Sequence, residues 1–226
     1  MFFYFDMFYF LIYFEKQSTF MNQKDLIEEI GQIRSLMEKS SKFMSISGLS
    51  GVLIGSYALV GAFLGYYTVY GFQSEFGYRD YYITDTFVVY KLVLIAFLVL
   101  LASILTGVLM AKQKAKRIGQ RIWNPTSKSL ALAMSVPLIT GGLMSIILVF
   151  RGEYAVIASS MLIFYGLSLY AAGTFTFKEL RWLGILDILL GLLALCFPGY
   201  GLWFWALGFG VLHIIYGLIV HQRYEK

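Results

Sequence analysis

Six long apolar runs divide this chain, at about 45–70, 87–110, 130–150, 154–174, 182–197 and 202–220. Most approach or exceed the ~20 residues that a helix needs to cross ~30 Å of hydrocarbon. Inside a bilayer the backbone must satisfy its own hydrogen bonds, so runs of this length become helices. The expected fold class is therefore all-α: a six-transmembrane-helix bundle over 45–220, a tail at 221–226 and a cytoplasmic amphipathic helix at 21–44. Hydrophobic residues make up 59% of the chain and charged residues 14%. Six spans and their loops then use nearly all of the 226 residues and leave no room for a soluble domain.

The distribution of charge sets an orientation. A formal charge of +5 raises the question of a nucleic-acid partner. With the N-terminal segment in the cytoplasm, however, fifteen of the 18 Lys and Arg residues fall in inner segments. The outer loops hold only Arg79 and Arg151, and Lys91 lies just inside the outer end of the second span. That asymmetry is a positive-inside signal, so both termini are expected in the cytoplasm and no nucleic acid is expected. Aromatic residues form belts to match: Tyr66, Tyr67, Tyr70, Tyr154, Tyr200 and Trp203 outside, Trp123, Trp182 and Tyr224 inside. Lys91 is expected to snorkel toward Asp80 or Asp85. A single cysteine, Cys196, allows no internal disulfide.

Residues 1–20 read MFFYFDMFYFLIYFEKQSTF. The apolar part is too short for a span, Asp6 interrupts it, and it lacks the basic start of a signal peptide. Translation starting at Met21 is one expectation; a short interfacial helix is the other. Beyond it, Asn22 and Asp25 open a helix in which Leu26, Ile30, Ile33, Met37 and Met44 recur at helical spacing. Its acids and bases balance, so attraction to anionic lipid is weak. It either packs under the bundle or docks a cytoplasmic partner or second protomer through 22–44. The segment after the second span has no acid. Lys112, Lys114, Lys116, Arg117 and Arg121 are expected to meet anionic lipid headgroups at the inner face. Asn124-Pro125 should stop it, with Thr126 or Ser127 capping the next helix.

Within the spans, Ser47, Gly51 and Gly55 stand four apart, as do Gly61 and Gly65. Small residues at that spacing let helix backbones approach closely in lipid, within one bundle or between protomers. Spans three to six also read as two related hairpins. Gly142-Leu143, Phe150 and Tyr165-Gly166-Leu167 parallel Gly191-Leu192, Phe197 and Tyr216-Gly217-Leu218.

The last hairpin, GILDILLGLLALCFPGYGLWFWALGFGVLHIIYGLIV, resembles the Gly-rich hairpins of the acid-resistance membrane protein family, which also has six helices. The segment SLMEKSSKFMSISGLSGVLIGSYALVGA resembles a group of uncharacterised six-span bacterial membrane proteins. The second likeness implies a bacterial cytoplasmic membrane. Neither supplies catalytic residues.

Chemistry is sparse. There is no HExxH, GxxxxGK[ST] or GxSxG motif, and two histidines with one cysteine make a zinc site improbable. No cofactor, metal or catalytic residue is expected. Ionisable residues inside a membrane are functional candidates because burying them is costly. Asp187 in span five and His213 in span six lie at one depth, about 10 Å from the inner surface. They form either a proton-handling pair or a polar clasp. The leading expectation is a non-enzymatic structural, stress-related or regulatory membrane component. The alternative is a small proton-linked transporter or channel using Asp187 and His213.

Overall fold

A computed structural model describes residues 27–30, 46–70, 86–119 and 121–225. The chain forms two compact units, Met1–Lys42 and Phe43–Lys226. In the first, residues 27–30 are helical, with Ile27 and Ile30 exposed. Residues 1–20, the Asn22 cap and the rest of the amphipathic helix lie outside the described residues. So do Asp80 and Asp85, the expected partners of Lys91.

In the second unit the regular structure of the described residues is all helical. The helices are α1 (Gly48–Tyr70), α2 (Thr86–Arg117), α3 (Pro125–Arg151), α4 (Ile157–Ala172), α5 (Lys178–Cys196) and α6 (Gly201–Tyr224). A short 3-10 turn, Tyr154–Val156, leads into α4. Five of these stretches are long and apolar enough to cross a membrane: α1, α2, α3, the turn with α4, and α6. Several such helices in one chain suggest a membrane-embedded protein. The remaining helix, α5, is 19 residues long but carries Lys178, Glu179, Arg181 and Asp187.

Local chemistry explains where α3 begins and ends. Asn124 is the N-cap: its side chain accepts from the Ser127 N–H at 2.8 Å, while the Asn124 N–H donates to the Ser127 hydroxyl at 2.9 Å. This reciprocal box satisfies two otherwise orphaned donors, and Pro125 follows with a preset φ where no N–H is needed. The cap is therefore Asn124, with Ser127 reciprocating from the first turn, rather than Thr126 or Ser127 alone. Gly152 ends the helix at φ 74°, a left-handed turn that glycine adopts without strain.

Packing runs through glycine. α1 and α6 are antiparallel: a Cβ on Gly217 would lie 2.6 Å from the Gly48 carbonyl oxygen, and one on Gly55 2.6 Å from the Gly210 carbonyl oxygen. α4 and α5 meet in the same way, with a Cβ on Gly166 falling 2.6 Å from the Gly184 carbonyl oxygen. α3 lies on α4, where Gly141 faces Phe164, and α2 lies on α1. The Tyr-Gly step repeated in the sequence thus has one use in both halves: Gly166 and Gly217 each take a neighbouring helix at backbone distance. The second hairpin is not a packing unit, however. α5 packs far more closely on α4 than on α6, because Gly184 and Gly191 both face α4.

The small-residue stripe of α1 gains one member at its start. Gly48, Gly51 and Gly55 meet α6, whereas Ser47 is buried and its carbonyl accepts the Ser50 hydroxyl at 2.6 Å. Gly61 and Gly65 turn toward α2 and the start of α6. A core of Leu130, Leu169, Leu180, Leu183, Tyr216 and Val220 closes the end of the bundle nearest the C-terminus. The opposite end carries the α3–α4 and α5–α6 turns.

Candidate functional site

The deepest polar groups gather where α4, α5 and α6 meet. α6 is not uniform: Ala206–Leu212 is wound as a π-helix between two α-helical segments. Such insertions are rare and often mark functional sites. His213 sits just past it and is 3% exposed. Its Nδ1 lies 2.9 Å from the Gly208 carbonyl oxygen, and its Nε2 lies 2.9 Å from the Tyr165 hydroxyl. A carbonyl only accepts, so Nδ1 carries the hydrogen. In the neutral ring Nε2 is then the acceptor, and Tyr165 donates to it. The imidazole stacks on Phe209, with ring centroids 6.2 Å apart, and is tilted against Tyr165.

Asp187 approaches Gly208 as well. It is 0% exposed, and a Cβ on Gly208 would lie 2.9 Å from its Oδ1. Glycine is therefore what lets the π segment pass the carboxyl group. Neither oxygen of Asp187 has a hydrogen-bond partner among the described residues. Asp187 and His213 both approach Gly208, but they are not hydrogen-bonded to each other. His213 has committed both nitrogens to Gly208 and Tyr165. Two further buried polar atoms, Ser159 Oγ and Tyr216 Oη, have no partner among the described residues.

A second polar cluster lies at the C-terminal end. Glu225 accepts from the Gly48 N–H at 2.9 Å and from Lys114 Nζ at 2.8 Å, and lies 2.7 Å from His221 Nδ1. Lys114 also donates to the Ile46 carbonyl at 2.7 Å and rests over the Phe177 ring. Burial alone would raise the Glu225 pKa. The donors from His221, Lys114 and Gly48 outweigh it and hold the carboxylate at about 2. Glu179 accepts from the Arg223 guanidinium and from the Tyr224 hydroxyl, the latter at 3.2 Å. Lys114, expected at the lipid headgroups, is thus turned into the bundle, because a buried carboxylate and a free carbonyl offer it better partners. Lys112, Lys116, Arg117 and Arg121 remain exposed. Lys91 sits 4.5 Å from the Phe87 ring centroid.

The bundle also holds an apolar cavity of about 380 Å³ toward the turn end, walled by parts of α1, α2, α3, α4 and α6. Neither Asp187 nor His213 lines it. Among the described residues no three His, Cys, Asp or Glu side chains cluster as a metal site would require.

Sequence reasoning found Asp187, His213 and the α1 glycines. It gave Lys114 another role and did not single out Tyr165, Gly208 or Glu225 for the site. Only Glu225 had a readable signal, its placement four residues after His221 on one helix face. No protein-family model, curated protein or solved structure matches the chain.

Proposed function

We propose that the chain is a six-span protein of the cell membrane with both termini in the cytoplasm, acting as a non-catalytic structural or regulatory component. α5 joins the other five stretches as a span. Its 19 residues extend about 28 Å, close to the hydrocarbon thickness. Lys178, Glu179 and Arg181 fall in its first turn at the interface, which leaves Asp187 alone at depth. The asymmetry of Lys and Arg supports the orientation.

One observation favours a structural component over a transporter. α1 on α6 and α4 on α5 are interlocked at backbone distance, and Asp187 and His213 are enclosed rather than lining the cavity. Helices in such contact do not rock apart without losing it, and rocking is what alternating access needs. Reconstituted liposomes test this. They should hold a pH gradient as long as protein-free liposomes do.

A second reading, proton-linked transport or sensing, is favoured by one fact: Asp187 is enclosed with no partner for either oxygen among the described residues. A proton leak or solute flux that disappears in Asp187→Asn would establish this reading and overturn the first.

A further inference from the structure

We propose that the cavity at the turn end is a binding site for one acyl chain of a bilayer phospholipid, entered between α2 and α3. Four features of the bundle lead there. The first is location. α2 leans on α1 and α3 leans on α4, and these consecutive helices have no extended contact with each other. The cavity lies between the two pairs, with Ala96 of α2 and Ser145 of α3 on opposite walls.

The second is length. Along α1 the wall runs from Gly61 to Tyr70, which is about 13 Å at the α-helical rise. That is close to half of the ~30 Å hydrocarbon core, the depth one leaflet's acyl chain covers. Tyr70 and Tyr154 line its turn end, at the level where aromatic residues meet the headgroup layer.

The third is chemistry. A space of about 380 Å³ would hold several waters, and each buried water needs two to four polar partners. The Ser145 hydroxyl is already bonded to the Gly141 carbonyl at 2.8 Å. The deep wall is formed by Gly61, Ala96, Met161 and Trp205, which offer water little. Left empty, the lining atoms would forfeit their dispersion contacts. An acyl chain from the surrounding solvent restores them.

The fourth is Gly65. The glycines of α1 that face α6 are required by backbone contacts. A Cβ on Gly65 would meet only the Leu202 and Leu92 side chains, at 3.4 and 3.5 Å, which is ordinary contact. Helix packing does not demand a glycine there. Its small size instead keeps the slot open.

The test uses the full chain with Trp123, Trp182 and Trp203 replaced by Phe, so that Trp205 alone reports. It is placed in phosphatidylcholine vesicles with or without bromine on the acyl chains. The cavity should bring a brominated chain against the indole and cut its emission more than twofold. Gly65→Leu on α1 and Ser145→Leu on α3 fill the slot from opposite walls. Each should restore most of the emission while circular dichroism and gel-filtration behaviour stay unchanged. Native mass spectrometry of the unaltered chain in mild detergent should show one retained phospholipid, absent from the filled variants. Equal quenching with and without the filling substitutions would mean that bulk lipid reaches Trp205 from outside, and would overturn the proposal. So would weak quenching in every form together with no retained phospholipid, the result expected if water, detergent or another segment of protein occupies the slot.

Discussion

At the scale of single residues, glycines in this bundle divide by what a methyl group would strike. At Gly217 it would meet the Val52 nitrogen at 2.5 Å and the Gly48 carbonyl oxygen at 2.6 Å, both backbone atoms that cannot step aside. Gly217→Ala should therefore push α6 off α1 and cost about 2–3 kcal/mol, in the range of overpacked cores. That corresponds to a fall in Tm of roughly 5–10 °C for a chain of this size. Gly142, in the middle of α3, has nothing within 4 Å of its Cβ position. Gly142→Ala should be neutral or stabilising by up to about 1 kcal/mol, since alanine is the better helix former. Thermal unfolding of the two variants in one detergent separates them. The sequence announced all these glycines alike. It could not say which ones face a backbone, because that depends on helix rotation. Within α1, Gly55 meets the Gly210 backbone while Gly61 meets the Val99 side chain, and each residue turns the face by about 100°.

At the scale of elements, the C-terminal turn of α6 acts as a clasp. Glu225 joins α6 to the start of α1 through Gly48 and to the C-terminal end of α2 through Lys114. Its folded-state pKa, about 2, lies below the usual glutamate value near 4.3. The clasp thus contributes fully above the unfolded value and is lost as pH falls toward the folded one. Allowing for solvent screening, about 1–2 kcal/mol should disappear between roughly pH 5 and pH 2. Tm measured across that range should fall more steeply for the native chain than for Glu225→Gln. Such an element was only partly legible. Runs, caps and spacing gave the existence and approximate bounds of all six helices. The π segment left no trace, since Ala206–Leu212 reads as ordinary apolar helix and its winding follows from packing around Gly208, Asp187 and His213. The destination of Lys114 was hidden for a related reason. A run of bases without acids looks like a lipid-facing surface until its acidic partner arrives from the far end of the chain.

At the scale of the whole molecule, the testable unknown is how many helices cross the bilayer. In a Cys196→Ser background, single cysteines at Glu153 and Tyr200 should react with an impermeant maleimide on intact cells. Cysteines at Lys116 and Lys178 should react only after permeabilisation. Labelling of positions 178 and 200 from the same side would show that α5 does not span. The arrangement also governs how the protein is made. Gly48 and the carboxylate that receives its N–H are 177 residues apart in sequence. At 5–20 residues per second, the ribosome needs about 10–35 s to deliver the second after the first. For that interval α1 stands in the membrane without the helix that covers its glycine face. A chain stopped before Glu225 would never receive this clasp, so the closing of α1 waits on a residue 177 positions behind it.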